Sequence, residues 1–198
     1  KISSWAAILD HLSRELNVII VVSVGHYDHE PPKDDHDHHV HGFPNYLISP
    51  QAKVIEPATG CIVLTVGSIV ETSNIHVAGA ENVTLRPIAQ HGHPSPFTRS
   101  GPGIGGSVKP ELCEFGGNLA FNTQVRRTQP ISESSVISLN RNYLERLFHH
   151  DIGTSLAAPK VAHSAARLFE TFPDGSANLI RALLASSAVV PNESNDFG

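Results

Sequence analysis

The chain contains no methionine, a single tryptophan and only two cysteines, and no apolar run in it is long enough to cross a membrane. Cys61 and Cys113 cannot supply a disulfide framework. Both stand in apolar contexts, so reduced, buried thiols are expected, which suits a cytosolic setting. Basic excess is missing as well. Against 19 Asp and Glu there are 14 Lys and Arg, a net charge of −5 that argues against a nucleic-acid partner. No secretory leader is legible, because Lys1 to Leu9 already carries the pattern of an amphipathic helix. Asn82-Val83-Thr84 and Asn192-Glu193-Ser194 fit glycosylation sequons, which matter only in a secreted protein. The start at Lys1 without any methionine suggests a processed or cut piece of a longer chain. What is present is globular: 198 residues, 40% of them hydrophobic and 17% charged, enough for one domain with a substantial core.

Ile2, Trp5, Ala6, Ile8, Leu9, Leu12 and Leu16 recur with helical spacing and predict a helix over 2–16. Val18 to Val24 is a continuous, largely β-branched run, as in a strand covered on both faces. A polar insertion over about 27–45 follows, with Pro31, Pro32 and Pro44 opposing regular structure. Cys61 to Val70 reads as a second buried strand and Asn74 to Ala78 as a third. The Gly- and Pro-rich stretch 92–109 reads as loop. Ser134 to Leu139 reads as a short strand, with Tyr143 to Phe148 beside it. Two helices complete the chain, one to about Thr171 and one over Ala177 to Ala188. Alternation of helices with buried strands indicates an α/β domain with a mainly parallel sheet.

The most informative stretch is Gly153-Thr154-Ser155-Leu156-Ala157-Ala158-Pro159. Val161, Ala162, Ala165, Ala166, Leu168 and Phe169 continue it with helical spacing, which puts Ser155 at the amino end of a helix. Free backbone N–H groups and the positive end of the helix dipole there favour developing negative charge. Pro159 is expected in the first turn, where an N–H has no intrahelical partner. An ordinary capped helix meets the same description, since Ser and Thr are preferred caps.

Gly153 to Pro159, with Val161-Ala162 after it, resembles the nucleophile motif of the subtilisin-like serine proteases, the subtilases. Asn17 to Gly25 resembles the strand that leads to that family's oxyanion-hole residue. Ser95-Pro96-Phe97-Thr98-Arg99-Ser100-Gly101-Pro102, then Lys109-Pro110-Glu111-Leu112, resembles the segment that precedes the serine. The three blocks keep the family's order. The resemblance implies a three-layer α/β/α fold whose amino-terminal part is absent, a polypeptide substrate, and peptide-bond hydrolysis through an acyl-enzyme on Ser155. It also implies that Ser23, Val24 and Gly25 line one wall of the substrate site, with Gly153 and Thr154 beside the serine.

Serine proteolysis also needs a base, an acid to orient it, and oxyanion donors. The family's Asp-Thr/Ser-Gly and His-Gly-Thr motifs do not occur in this chain. His41-Gly42-Phe43 and His91-Gly92-His93 are the nearest His-Gly pairs, and neither has the right order or context. The expected partner is therefore a missing amino-terminal segment of the same protein, without which the chain is expected to be inactive. Where the family carries an oxyanion-donating Asn, this chain carries His26. A neutral imidazole has one N–H to donate, so the role stays open against that of a loop histidine with none. His26 equally fits a degenerate subtilase that serves as a non-catalytic binding or scaffolding module.

Asp34-Asp35-His36-Asp37-His38-His39-Val40-His41 has the composition of a transition-metal site but no rigid ligand spacing, so it reads as a solvated insertion. Gly101-Pro102-Gly103-Ile104-Gly105-Gly106 formally matches a dinucleotide fingerprint, yet Pro102 and Pro110 leave no strand before it or helix after it. Neither a metal nor another cofactor is expected, and neither is a membrane partner.

Overall fold

The structure, a computed structural model, describes residues 2–28, 42–75 and 85–191. In chain order its regular elements are α1 (Ser4–Glu15), β1 (Val21–Ser23), β2 (Leu64–Ile69), β3 (Leu85–Pro87), β4 (Leu112–Phe115), β5 (Ala120–Asn122), β6 (Arg127–Gln129), β7 (Val136–Leu139), β8 (Phe148–Asp151), α2 (Thr154–Thr171) and α3 (Ala177–Ser187).

Strands β1, β2 and β4 form a parallel sheet in the order β1–β2–β4, with Val21 opposite Leu64 and Val66 opposite Leu112. Central β2 is buried on both faces, as its run without a polar side requires, whereas β1 at the sheet edge is only half-buried, short of the two-face cover expected of it. Helix α2 lies across all three strands. Its Ala157, Ala158, Val161 and Ala165 meet Leu64 and Val66, and Ile180 and Leu184 of α3 close the cluster. Small side chains on that face bring the helix axis close to the sheet. Strands β3, β5 and β6 form a separate antiparallel sheet, and β7 and β8 an antiparallel hairpin. The α/β class expected from the sequence is the one observed.

Helix α1 docks in the reverse of the expected sense. Its apolar stripe, Trp5, Ile8, Leu12 and Leu16, faces solvent, while Ala6 and Ser13 are buried. The contacts on the inner side are polar. The Asp10 carboxylate accepts from the N–H groups of Cys61, Ile62 and Val63 at 2.7, 2.8 and 3.0 Å, which fixes the chain entering β2. Ser13 Oγ donates to the Val18 carbonyl at 2.8 Å and accepts from Arg181 Nη2 at 2.6 Å, and Asn17 Oδ1 accepts from the Ala177 N–H at 3.0 Å. Residues 6, 10, 13 and 17 share one helical face, so the docked stripe is as periodic as the apolar one.

Several further expectations are corrected. Cys61 and Cys113 are free thiols as expected; both residues reach the surface, but the Cys113 thiol itself is withdrawn from water, and burial pushes it up to about 11. Pro159 is the sixth residue of α2, beyond the first turn, because the helix begins at Thr154. It therefore removes the N–H that would have bonded the Ser155 carbonyl. The partner of β7 begins at Phe148, whereas Tyr143 to Leu147 belong to the connecting turn. That turn is closed by the Glu145 and Arg146 N–H groups, which both donate to the Asn142 carbonyl. Residues 74–75 are irregular, and the rest of the expected third strand lies outside the described residues, as do both sequons and 29–41 of the His-rich insertion.

Candidate active site

Parallel strands end on one side of their sheet, and that side is where α/β domains gather ligand-binding groups. Here the carboxyl ends of β1, β2 and β4 lead to Val24, Val70 and Gly116. Helix α2 is pinned to the same edge, because the Gly153 N–H donates to the Gly116 carbonyl at 2.9 Å. Lys160 Nζ holds the next turn by donating to the Phe115 carbonyl at 2.9 Å. Gly116 has to be glycine: a Cβ there would sit 2.6 Å from the Gly153 carbonyl oxygen and against Ser68 Oγ. Ser155, the second residue of α2, is exposed at this edge, whereas Gly153 and Thr154 are buried. A side chain at position 153 would come within 3.1 Å of Ser155 Oγ, so the glycine leaves that hydroxyl room. The N–H groups of the first turn, that of Ser155 included, have no carbonyl four residues back to bond.

Residues 95–100 bracket the edge. The Ser95 N–H donates to the Ser68 carbonyl at 2.8 Å, and the Ser68 N–H donates to Thr98 Oγ1 at 3.1 Å. Ser68 Oγ lies 2.6 Å from Ser95 Oγ, which in turn donates to the Gly117 carbonyl at 2.7 Å. On the β1 side, the Tyr27 N–H donates to the Phe97 carbonyl at 2.8 Å, and His26 forms an antiparallel bridge with Thr98. This one segment therefore ties together the chain ends of all three parallel strands. Further along, Lys109 is buried with its Nζ 2.5 Å from Glu111 Oε1, and it also donates to the Val63 carbonyl and Thr65 Oγ1. Lys109, buried, and the half-exposed Glu111 thus act as a clasp between the loop and β2.

His26 stands three residues beyond β1, on the same edge as Ser155. Its ring stacks on buried Phe97 with centroids 4.7 Å apart and planes 5° from parallel. Its Nε2 lies 3.2 Å from Asp28 Oδ1. Arg99 Nε donates to the His26 carbonyl at 3.0 Å and fixes the backbone there. Gly25 has φ +103°, and a Cβ on it would fall 2.9 Å from Ile55 Cγ1, so both conformation and space require glycine. Ser23 and Gly25 are half-buried, and Val24 is enclosed. Of the expected substrate wall, Val24 and Thr154 can therefore offer only backbone groups.

Asp28 and Phe97 were not singled out from the sequence. His-x-Asp on extended backbone places both side chains on one face, a signal open to reading at 26–28. Phe97 carries no comparable mark. Among the described residues no group of three His, Cys, Asp or Glu is placed to hold a metal ion, and no helix is long and apolar enough to cross a membrane.

The uncharacterized protein y4bN of Sinorhizobium fredii (strain NBRC 101917 / NGR234) is 42% identical over 200 residues, which take in 99% of this chain. The chain spans about half of that relative's length, 46%. No solved structure matches it. The subtilase model, Peptidase_S8, matches residues 1–198. A family match whose bounds take in the helix of Ser155, the bracket at 95–100 and the strand before His26 covers the whole chain, and the chain belongs to the subtilase family.

Proposed function

We propose that this chain is the serine-bearing part of a subtilase catalytic domain and that Ser155 is the nucleophile of a serine endopeptidase. The observation that carries the reading is Ser155 exposed at the amino end of α2, on the edge where the parallel strands end. In this reading a base supplied by an upstream segment of the same protein takes the Ser155 proton. Oγ then bonds to the peptide carbonyl carbon, and the π electron pair moves to the carbonyl oxygen. The Ser155 N–H and His26 face the resulting oxyanion. Collapse of the intermediate re-forms the carbonyl, breaks the C–N bond, and releases the amine with a proton from the base. Ser23, Gly25 and the backbone of Val24, Gly153 and Thr154 line the site for the polypeptide.

A fluorophosphonate probe tests this. Full-length protein should label at Ser155, Ser155→Ala should not, and the 198-residue chain alone should label no faster than a surface serine, because the family's base motif does not occur in it. Unlabelled full-length protein would overturn the reading. His26, in place of the family's amide donor, favours a second one: a subtilase that has lost catalysis and binds polypeptides without cutting them. That version predicts casein binding without cleavage or labelling.

A further inference from the structure

His26 meets a carboxylate at one of its two ring nitrogens. The ring is held on both sides of the contact: Phe97 stacks against its face, and the bridge to Thr98 fixes its backbone. Nε2 lies 3.2 Å from Asp28 Oδ1. A carboxylate only accepts, so in the neutral ring this contact favours the proton on Nε2, facing the negative oxygen. The other tautomer would set the Nε2 lone pair against a carboxylate oxygen. Nδ1 makes no hydrogen bond among the described residues, and in the neutral ring it is an acceptor. An acceptor cannot stabilise an oxyanion.

We propose that Asp28 is a positioning residue that locks neutral His26 in the Nε2–H form, so that His26 offers an Nδ1–H to an oxyanion only as the imidazolium. This rests on the reading of Ser155 as a protease nucleophile. Among the described residues, the charged groups around the ring are Asp28 on its own segment and Arg99 from the bracket, with Lys53 beyond Arg99 on the neighbouring segment. Arg99 Nε and Nη1 are spent on the carbonyls of His26, Gln51 and Lys53, which among the described residues leaves Asp28 as the group that meets a ring nitrogen. A catalytic base works once it has lost its proton, whereas this donor works while it keeps one. A rise in pH that strips the ring of its second proton therefore removes the donor and limits activity on the alkaline side.

The tautomer is read directly by nitrogen NMR of the histidine-labelled 198-residue chain at a pH where the ring is neutral, with His26 identified by loss of its signals in His26→Gln. Wild type should show Nε2–H and an unprotonated Nδ1. Asp28→Asn brings an amide that can donate to Nε2, so a measurable Nδ1–H population should appear, and Asp28→Ala should fall between. Asp28 is exposed, so neither substitution threatens the fold. In full-length protein, Asp28→Asn should raise kcat on the alkaline limb by about tenfold, part of the ~10²–10³ that one oxyanion donor supplies, with KM unchanged. Nδ1–H in the neutral wild-type ring, or one tautomer ratio across all three chains, overturns the proposal. So does an alkaline limb that Asp28→Asn leaves where it was in an active protease. Correct tautomers in a protein that never labels at Ser155 would instead count against the protease reading.

Discussion

At the scale of single residues, the serine depends on two glycines that touch each other. Gly116 receives the Gly153 N–H and has no room for a side chain, because Ser68 Oγ and the Gly153 carbonyl already fill the space. Gly116→Ala should therefore lower stability by about 1–3 kcal/mol, as forced overpacking does. Its effect on fluorophosphonate labelling of full-length protein should exceed that loss, since the start of α2 must shift to make room. Equal labelling rates under conditions where both proteins are fully folded would show that Ser155 is not held through Gly116. His26 gives a second test. Asn there restores an amide donor, and kcat of the full-length enzyme should rise by about tenfold or more with little change in KM. If His26→Asn and His26→Ala both match wild type, the residue plays no part at the oxyanion.

Among elements, the bracket and α1 show how polar contacts organise this fold. Tyr46 Oη donates to the Pro96 carbonyl at 2.8 Å from a buried position. Burial, with the Tyr27 ring as a lesser contribution, pushes its phenol well above the ordinary value. Below about pH 10 the folded and unfolded chains both keep the proton, and this group leaves stability unchanged. Above that, the unfolded chain ionises and the folded one does not, so stability should fall by up to about 1.4 kcal/mol per pH unit. Tyr46→Phe should cost about 1 kcal/mol at neutral pH and flatten that alkaline decline in urea titrations. An unchanged slope would mean that other groups cause it. Asp10→Ala should cost about 2 kcal/mol or more, because three N–H groups lose their acceptor at once.

Much of this was readable in advance, and the exceptions have physical causes. Helices α2 and α3 and strands β1 and β2 announce themselves through long periodic or β-branched runs. Strands β3, β5 and β6 span three residues each, too short for alternation to register, and one of them ends in Pro87. The rotation of α1 was hidden because a side-chain pattern marks its apolar stripe without saying what covers it. Asp10, Ser13 and Asn17 found backbone partners that only the tertiary fold brings near. At the site, Gly-Thr-Ser gave away the position of Ser155, whereas the tautomer of His26 depends on a neighbour two residues on.

For the whole molecule, the outward stripe of α1 and the exposed Leu139, Leu144 and Phe148 of the β7–β8 hairpin leave considerable apolar surface in contact with water. Surface of that kind drives association. The 198-residue chain should therefore self-associate with rising concentration in sedimentation velocity, and Ile8→Glu combined with Leu12→Lys should reduce it. A strictly monomeric wild type would show that these residues are not adhesive.

The two faces of α1 should also answer temperature in opposite ways. Attraction through Trp5, Ile8, Leu12 and Leu16 is hydrophobic and fades on cooling. The inner face is held by the Asp10, Ser13 and Asn17 hydrogen bonds, which have no such weakness in the cold. A chilled solution should thus disperse its oligomers while the amide protons of Cys61, Ile62 and Val63 stay protected against exchange. One helix would then be cold-labile towards its neighbours and cold-stable towards its own domain.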